Sequence, residues 1–213
     1  MKKIALFGAS GQSGKAFLAQ ALAKDYTIKA LVRTPAKVEE EAQLSTKLHI
    51  IQGDVLKAED VERTVEGTDL VVSLFGHVKG SPEDLQTRGT QHIVNAMQKH
   101  RVERIISLSG GGLPYEKDEP KFADKLIRGI MKIAASKILN DAIQHAEVLE
   151  DSGLKWTIVR GPRLTNEPQR GAYRVGWVGV NASTKIGRAD LADFILQEVE
   201  EAKYTYQMPF VSY

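Results

Sequence analysis

The run Gly8-Ala9-Ser10-Gly11-Gln12-Ser13-Gly14 sets three glycines at G-x-x-G-x-x-G spacing directly behind the apolar run Ile4–Phe7. In such a place the first glycine allows a tight turn. The second lets the backbone approach a bulky anion with no Cβ in the way, and the third lets a helix pack closely on the strand before it. A helix that starts here offers free N–H groups and about half a unit of positive charge, so the chemistry is phosphate binding. The hydroxyls of Ser10 and Ser13 add donors, and Gln12 lies in the same loop. The spacing differs from G-x-G-x-x-G, but its position between a first strand and a first helix reads as a dinucleotide loop.

A second cluster ends the next apolar run, at Ala30-Leu31-Val32-Arg33-Thr34. Chains that bind the ribose hydroxyls of NAD place Asp or Glu there, about 20 residues on. Here the position holds Arg33, whose guanidinium can grip a 2′-phosphate and stack on adenine, while Thr34 can donate to the same phosphate. This favours NADP(H). In Gly53-Asp54-Val55, Asp54 either accepts from an adenine amino group, with Val55 on the ring, or closes an ordinary Asp turn. Phe75-Gly76 ends a fourth run, where Gly76 keeps the backbone close to the middle of the cofactor. His77 could serve as a base, but nothing near it in sequence offers a partner, and it reads as a solvated loop histidine. Ser109, ending a fifth run, either bonds a nicotinamide amide or the acceptor, or caps a turn. Ser107, Leu108 and Pro162 complete the residues assigned to the cofactor. Tyr173 and Trp177 could stack on an aromatic substrate, although their glycine-rich setting favours packing.

The elements that position these residues alternate. Short apolar runs at Ile4–Phe7, Thr27–Val32, Leu48–Ile51, Leu70–Leu74, Arg104–Leu108 and Thr157–Val159 end on or just before the residues named above. Stretches with helical spacing are Ser13–Ala23, Pro82–His100, Phe122–Asp151 with a break near Ala135-Ser136, and Arg188–Glu201. Strands that are apolar throughout are buried on both faces, which marks a parallel sheet covered by helices. The expected class is α/β: a Rossmann-type doubly wound parallel sheet, helices on both faces, ligands at the carboxyl ends of the strands. Residues 1–213 read as one domain, with 165–213 contributing a small substrate-side cap and Leu113–Lys121 a loop.

Composition narrows the function. The absence of cysteine removes disulfides, thiolate metal sites and cysteine nucleophiles. No His/Asp/Glu cluster has metal spacing, so no metal is expected. Twenty-nine Lys+Arg against twenty-seven Asp+Glu give a formal charge of +2, with no basic block suited to nucleic acid. No apolar run approaches the ~20 residues of a membrane span, and the N-terminal run is too short for a signal peptide. A cytoplasmic monomer or weak homodimer is expected, with no nucleic-acid or membrane partner.

Nearly the whole chain resembles the NmrA-like group of atypical short-chain dehydrogenases/reductases. Within it the chain is most similar to the biliverdin-IXβ reductase (flavin reductase) family. The resemblance rests on residues 2–14, Leu31-Val32-Arg33, Gly53-Asp54-Val55-Leu56, Val65-Glu66-Gly67, Asn95-Ala96-Met97, Asp151-Ser152-Gly153-Leu154-Lys155 and Gly171-Ala172-Tyr173. It implies NADPH-dependent hydride transfer to a bulky, planar, redox-active acceptor such as a flavin, quinone or tetrapyrrole. It also implies a catalytic serine at Ser109. The family's active-site histidine, in a Pro-Pro-His stretch, falls on Arg163 in Gly161-Pro162-Arg163. Arginine cannot donate a proton at neutral pH but can bind an anion. The segment Phe122–Lys137 is longer than in that family.

Ordinary short-chain dehydrogenases use Tyr-x-x-x-Lys, in which lysine lowers the tyrosine pKa. No tyrosine here is followed by lysine four residues on. Alcohol–ketone chemistry by that route is disfavoured, and so is hydrolysis, since no serine has a nucleophile-elbow context. The leading expectation is an NADPH-dependent reductase with Ser109 and Arg163 at the reacting end. The alternative is a non-catalytic, NADP(H)-sensing regulator that binds a protein partner. A sugar-nucleotide epimerase ranks last, because such enzymes usually keep the Tyr/Lys pair.

Overall fold

The computed structural model of the chain describes residues 2–122, 129 and 135–213. In chain order these form β1 (Lys3–Phe7), α1 (Gln12–Ala23), β2 (Thr27–Val32), a 3-10 turn (Pro35–Val38), α2 (Glu39–Leu44), β3 (Leu48–Gln52), α3 (Ala58–Val65), β4 (Leu70–Ser73) and α4 (Leu85–His100). Then come β5 (Arg104–Gly110), α5 (Ser136–Glu150), β6 (Lys155–Gly161), β7 (Arg163–Thr165), β8 (Arg174–Gly176), β9 (Lys185–Gly187), α6 (Arg188–Glu201) and β10 (Phe210–Ser212).

One sheet has the order β3-β2-β1-β4-β5-β6-β10-β8, and β7 and β9 form a separate parallel pair. Every pairing of the large sheet is parallel except that of β8 with β10. This is the doubly wound arrangement expected from the apolar runs. Alternation along β1 shows why those runs are continuous. Ile4 and Leu6 face a core layer with Phe17, Leu18 and Ala21 of α1 and Leu191 and Ile195 of α6. Ala5 and Phe7 face the opposite layer, with Val61 of α3, Ile93 and Met97 of α4 and Leu149 of α5. Strand β1 is thus buried on both sides, as is β4.

Strand β1 lies between β2 and β4, with Phe7 level with Leu31 and Ser73. Gly8 therefore leaves the sheet at the point where the chain order reverses, where open α/β sheets form a crevice. Of the expected helix over Phe122–Asp151, the described part is α5, and Ala135 ahead of it has non-helical backbone. Residues 123–128 and 130–134 of that segment lie outside the described residues. The C-terminal third extends the sheet with β10 and β8, and α6 packs beside α1. The pair β7/β9 stands beyond the carboxyl end of β6. Among the described residues no helix is long and apolar enough to cross a membrane.

Candidate functional site

The glycine loop has the geometry its spacing predicts. Gly8 adopts φ +87°, and a Cβ there would lie 2.5 Å from the Phe75 amide nitrogen. The left-handed backbone and the pressure of the β4 end both require glycine. Gly11 donates its N–H to the Gly8 carbonyl at 3.0 Å and leads into α1. A Cβ on Gly14 would collide with the Gly8 carbonyl oxygen, so α1 can press onto the loop only through glycine. Helix α1 starts with no side-chain cap and no acidic residue in its first turn. Its N-terminal charge is left for an external anion, and a pyrophosphate fits this cradle.

A cleft of about 320 Å³ opens beside the loop. Its wall takes in Gly8, Ser10 and Gly11 of the loop, Arg33 and Lys37 beyond β2, Asp54 and Val55 beyond β3, and Phe75 and Gly76 beyond β4. The fold thus gathers these predicted residues, from four separate strand ends, around one cavity. Gln12, Ser13 and Gly14 stand at the start of α1, beside that wall rather than in it. Thr34 is exposed and precedes the 3-10 turn, its carbonyl accepting from the Lys37 N–H at 3.1 Å. Asp54 closes the Asp turn: its Oδ1 accepts from the Leu56 N–H at 3.0 Å. Its own N–H donates to Asp60 of α3 at 2.9 Å. That amide, with Arg63 beside it, holds the Asp60 carboxyl below its ordinary pKa despite burial.

The β4–β6 side is built differently. Ser107 is buried, and its hydroxyl bonds Nε2 of His145 on α5 at 2.8 Å. Burial of His145 pushes its imidazole pKa down to about 4, against the pull of nearby Asp141. Leu108 faces the α1/α6 core layer. Ser109 is 6% exposed, and its buried hydroxyl makes no hydrogen bond among the described residues. A buried, unbonded hydroxyl at a strand end suits a ligand amide or carbonyl. Pro162 links β6 to β7, and Arg163 is exposed at the start of β7, level with Lys185 of β9. Neither belongs to the wall of the 320 Å³ cleft. Trp177 packs on Tyr115, with centroids 5.4 Å apart, and the Tyr173 hydroxyl donates to Asp193 at 2.8 Å. Both rings thus have protein partners, as packing residues do.

His77 is not a solvated loop histidine. Its side chain is only 12% exposed and pairs through Nε2 with Asp141 Oδ2 at 2.7 Å. The partner lies 64 residues away on α5. Asp141 also accepts from the Gln86 and Thr87 amides at 2.8 and 2.9 Å and from the Thr87 hydroxyl at 2.5 Å. Burial would push its carboxyl up, but hydrogen bonds from Thr87, Gln86 and His77 hold it below the ordinary value. It therefore caps α4 from another helix, a role its position in sequence does not reveal.

Sequence reasoning also missed Lys37, a second cation at the β2 end, signalled only by lying four residues after Arg33. It missed Gly89 on α4, where a Cβ would lie 2.7 Å from the Phe75 ring. And it missed Arg160, fully buried and paired at both terminal nitrogens with Asp118 at 2.9 and 2.8 Å. That pair ties β6 to the loop behind β5 and, through the Val178 N–H, to the loop behind β8. Among the described residues no group of three or more His, Asp or Glu side chains is placed to hold a metal ion.

Known proteins share this architecture. A wide-type short-chain dehydrogenase/reductase from Veillonella parvula, crystallised with NADP, superposes with TM-score 0.82 at 19% identity, covering 100% of this chain and 94% of that one. ChuY, described as an anaerobilin reductase from Escherichia coli O157:H7, gives TM-score 0.79 at 18% identity, covering 100% and 97%. An uncharacterized chloroplastic protein of Arabidopsis thaliana is 28% identical over 180 residues, which cover 80% of this chain. The match spans 62% of that relative's length. The profile of the family described as NAD(P)H-binding matches residues 8–202, from the first glycine of the loop to the end of α6. With the cradle, the open helix start and the cleft in place, the chain belongs to the NAD(P)H-binding family.

Proposed function

We propose that the chain is an NADPH-dependent reductase that passes a hydride to a flat, conjugated acceptor of the flavin, quinone or tetrapyrrole kind. The observation that carries the cofactor preference is the β2 end, where Arg33 and Lys37 line the cleft and Arg33, not a carboxylate, directly follows the strand. Two cations there favour a 2′-phosphate, and the missing carboxylate leaves ribose hydroxyls without their usual acceptor. When bound, a reduced nicotinamide supplies the hydride.

The rest is done by the chain. Gly8, Gly11 and the start of α1 seat the pyrophosphate, and Asp54 and Val55 flank the adenine. Phe75 and Gly76 form the floor behind β4. The free hydroxyl of Ser109 orients the reacting end. Arg163, permanently charged, attracts an anionic group on the acceptor. The missing Tyr-x-x-x-Lys pair argues against a carbonyl substrate that relies on a tyrosine acid. The likeness to a protein described as an anaerobilin reductase supports a tetrapyrrole among the acceptors.

Anaerobic mixing of the protein and NADPH with biliverdin, FMN or menadione tests this. Loss of reduced-nicotinamide absorbance above the protein-free rate is expected with at least one of them. Tight NADPH binding with no oxidation by any acceptor would replace the reductase with a nucleotide-sensing regulator.

A further inference from the structure

The His77–Asp141 pair has no part in holding the cofactor, yet His77 sits between two residues of the cleft wall. Gly76 and Val78, on either side of His77, both line the cleft, and so does Leu85, the neighbour of Gln86, whose amide Asp141 accepts. Val78 is 58% exposed, so this stretch is open to solvent at the carboxyl end of β4. We propose that the His77 imidazole is the proton donor of the site and Asp141 its positioning residue; the inference rests on the reductase reading above.

The geometry gives each atom a role. Two amides and a hydroxyl already fix the Asp141 carboxylate at the start of α4. A carboxylate can only accept, so His77 donates from Nε2, which leaves Nδ1 as the atom that can exchange a proton. The carboxylate behind the ring fixes its orientation, as the aspartate does in a Ser-His-Asp triad. Asp141 is 2% exposed, so water competes poorly for this contact.

Such a group serves the chemistry. The C–H bond of the reduced nicotinamide breaks with its electron pair, and a new bond to hydrogen forms on the acceptor. The nicotinamide is oxidised, and the acceptor is reduced and gains a negative charge. The Nδ1–H bond of His77 then breaks, its proton goes to that charge, and neutral His77 recovers a proton from water. Arg163 cannot fill this role, and the chain has no tyrosine–lysine pair.

The test uses the full chain, H77Q and the shorter H77N. The ring NMR signals of His77, identified by their loss in H77Q, are followed as NADP⁺ is added. They are expected to shift, and an unchanged ring spectrum at saturation would overturn the placement. With whichever of biliverdin, FMN or menadione the wild type reduces, both variants are expected to lose at least about a hundredfold in kcat, the lower side of general-acid contributions. Their KM for NADPH should stay within about twofold of wild type, and the solvent deuterium effect on kcat should disappear. Wild-type kcat in both variants would overturn the donor role. A wild type that oxidises no NADPH with any of the three would remove the reductase reading itself, and the donor role with it.

Discussion

The two halves of the sheet's carboxyl edge are assembled by different means. On the β1–β3 side, the working groups sit at or just past strand ends: Gly8, Gly11, Arg33, Lys37, Gly53 and Asp54. They act through backbone, charge and local turns. On the β4–β6 side the polar groups are held across long stretches of chain, His77 by Asp141 and Ser107 by His145. The loops behind β5 and β8 meet through Arg160 and Asp118. A phosphate site needs exposed amides and positive charge, which a strand–turn–helix supplies by itself. Orienting a proton or an acceptor needs tertiary partners.

The strongest way to break this comparison is Asp118→Ala. It leaves the Arg160 guanidinium buried without its carboxylate, which costs about 3–5 kcal/mol. Denaturant unfolding should show that loss, while the NADPH Kd of the folded protein stays within about twofold if the two sides are independent. A matching loss of affinity would show that they are one unit.

Acidification probes the same side. The folded-state pKa of His145 lies near 4 against an ordinary 6.5. The unfolded chain therefore takes up a proton that the folded chain refuses. Stability should fall as pH drops from about 6.5 toward about 4, by about 3 kcal/mol in all. The drop attributable to this group should vanish in His145→Gln, as read by unfolding curves across that window.

On the other side, Arg33→Ala removes a charge-assisted contact to the 2′-phosphate. It should weaken NADPH by about 1.5–3 kcal/mol, roughly tenfold or more, and leave NADH nearly unchanged. Lys37→Ala should cost less, about 0.5–1 kcal/mol, because a flexible exposed ammonium gains less per contact than a guanidinium fork. Titration of both nucleotides into each variant checks the order. Equal losses for NADPH and NADH in Arg33→Ala would place Arg33 elsewhere on the cofactor.

What the sequence reveals follows the same division. The glycine loop, Arg33 and the strand ends were legible because local spacing dictates them: a glycine in left-handed backbone or under a carbonyl can be little else. The long apolar strands were legible because both of their faces are buried. Helix α3 went unread, since it is short and polar, with only one side buried around Val61 and Val65. The strands β7, β9 and β10 are three residues each, too short for a periodic signal. His77 was misread because its partner stands on another helix, and Asp141 looks like any polar residue of α5 until α4 is laid against it. Arg160 looks solvated in sequence because a buried guanidinium is legible only once Asp118, Leu113 and Met208 surround it.

The central claim is that this cleft takes a dinucleotide and prefers the one with a 2′-phosphate. Calorimetric titration of the purified protein with NADPH and, separately, NADH tests it most directly. NADPH should bind at least about tenfold more tightly, a difference of about 1.4 kcal/mol. Equal affinities, or tighter binding of NADH, would contradict the preference, and no heat from either nucleotide would contradict the site.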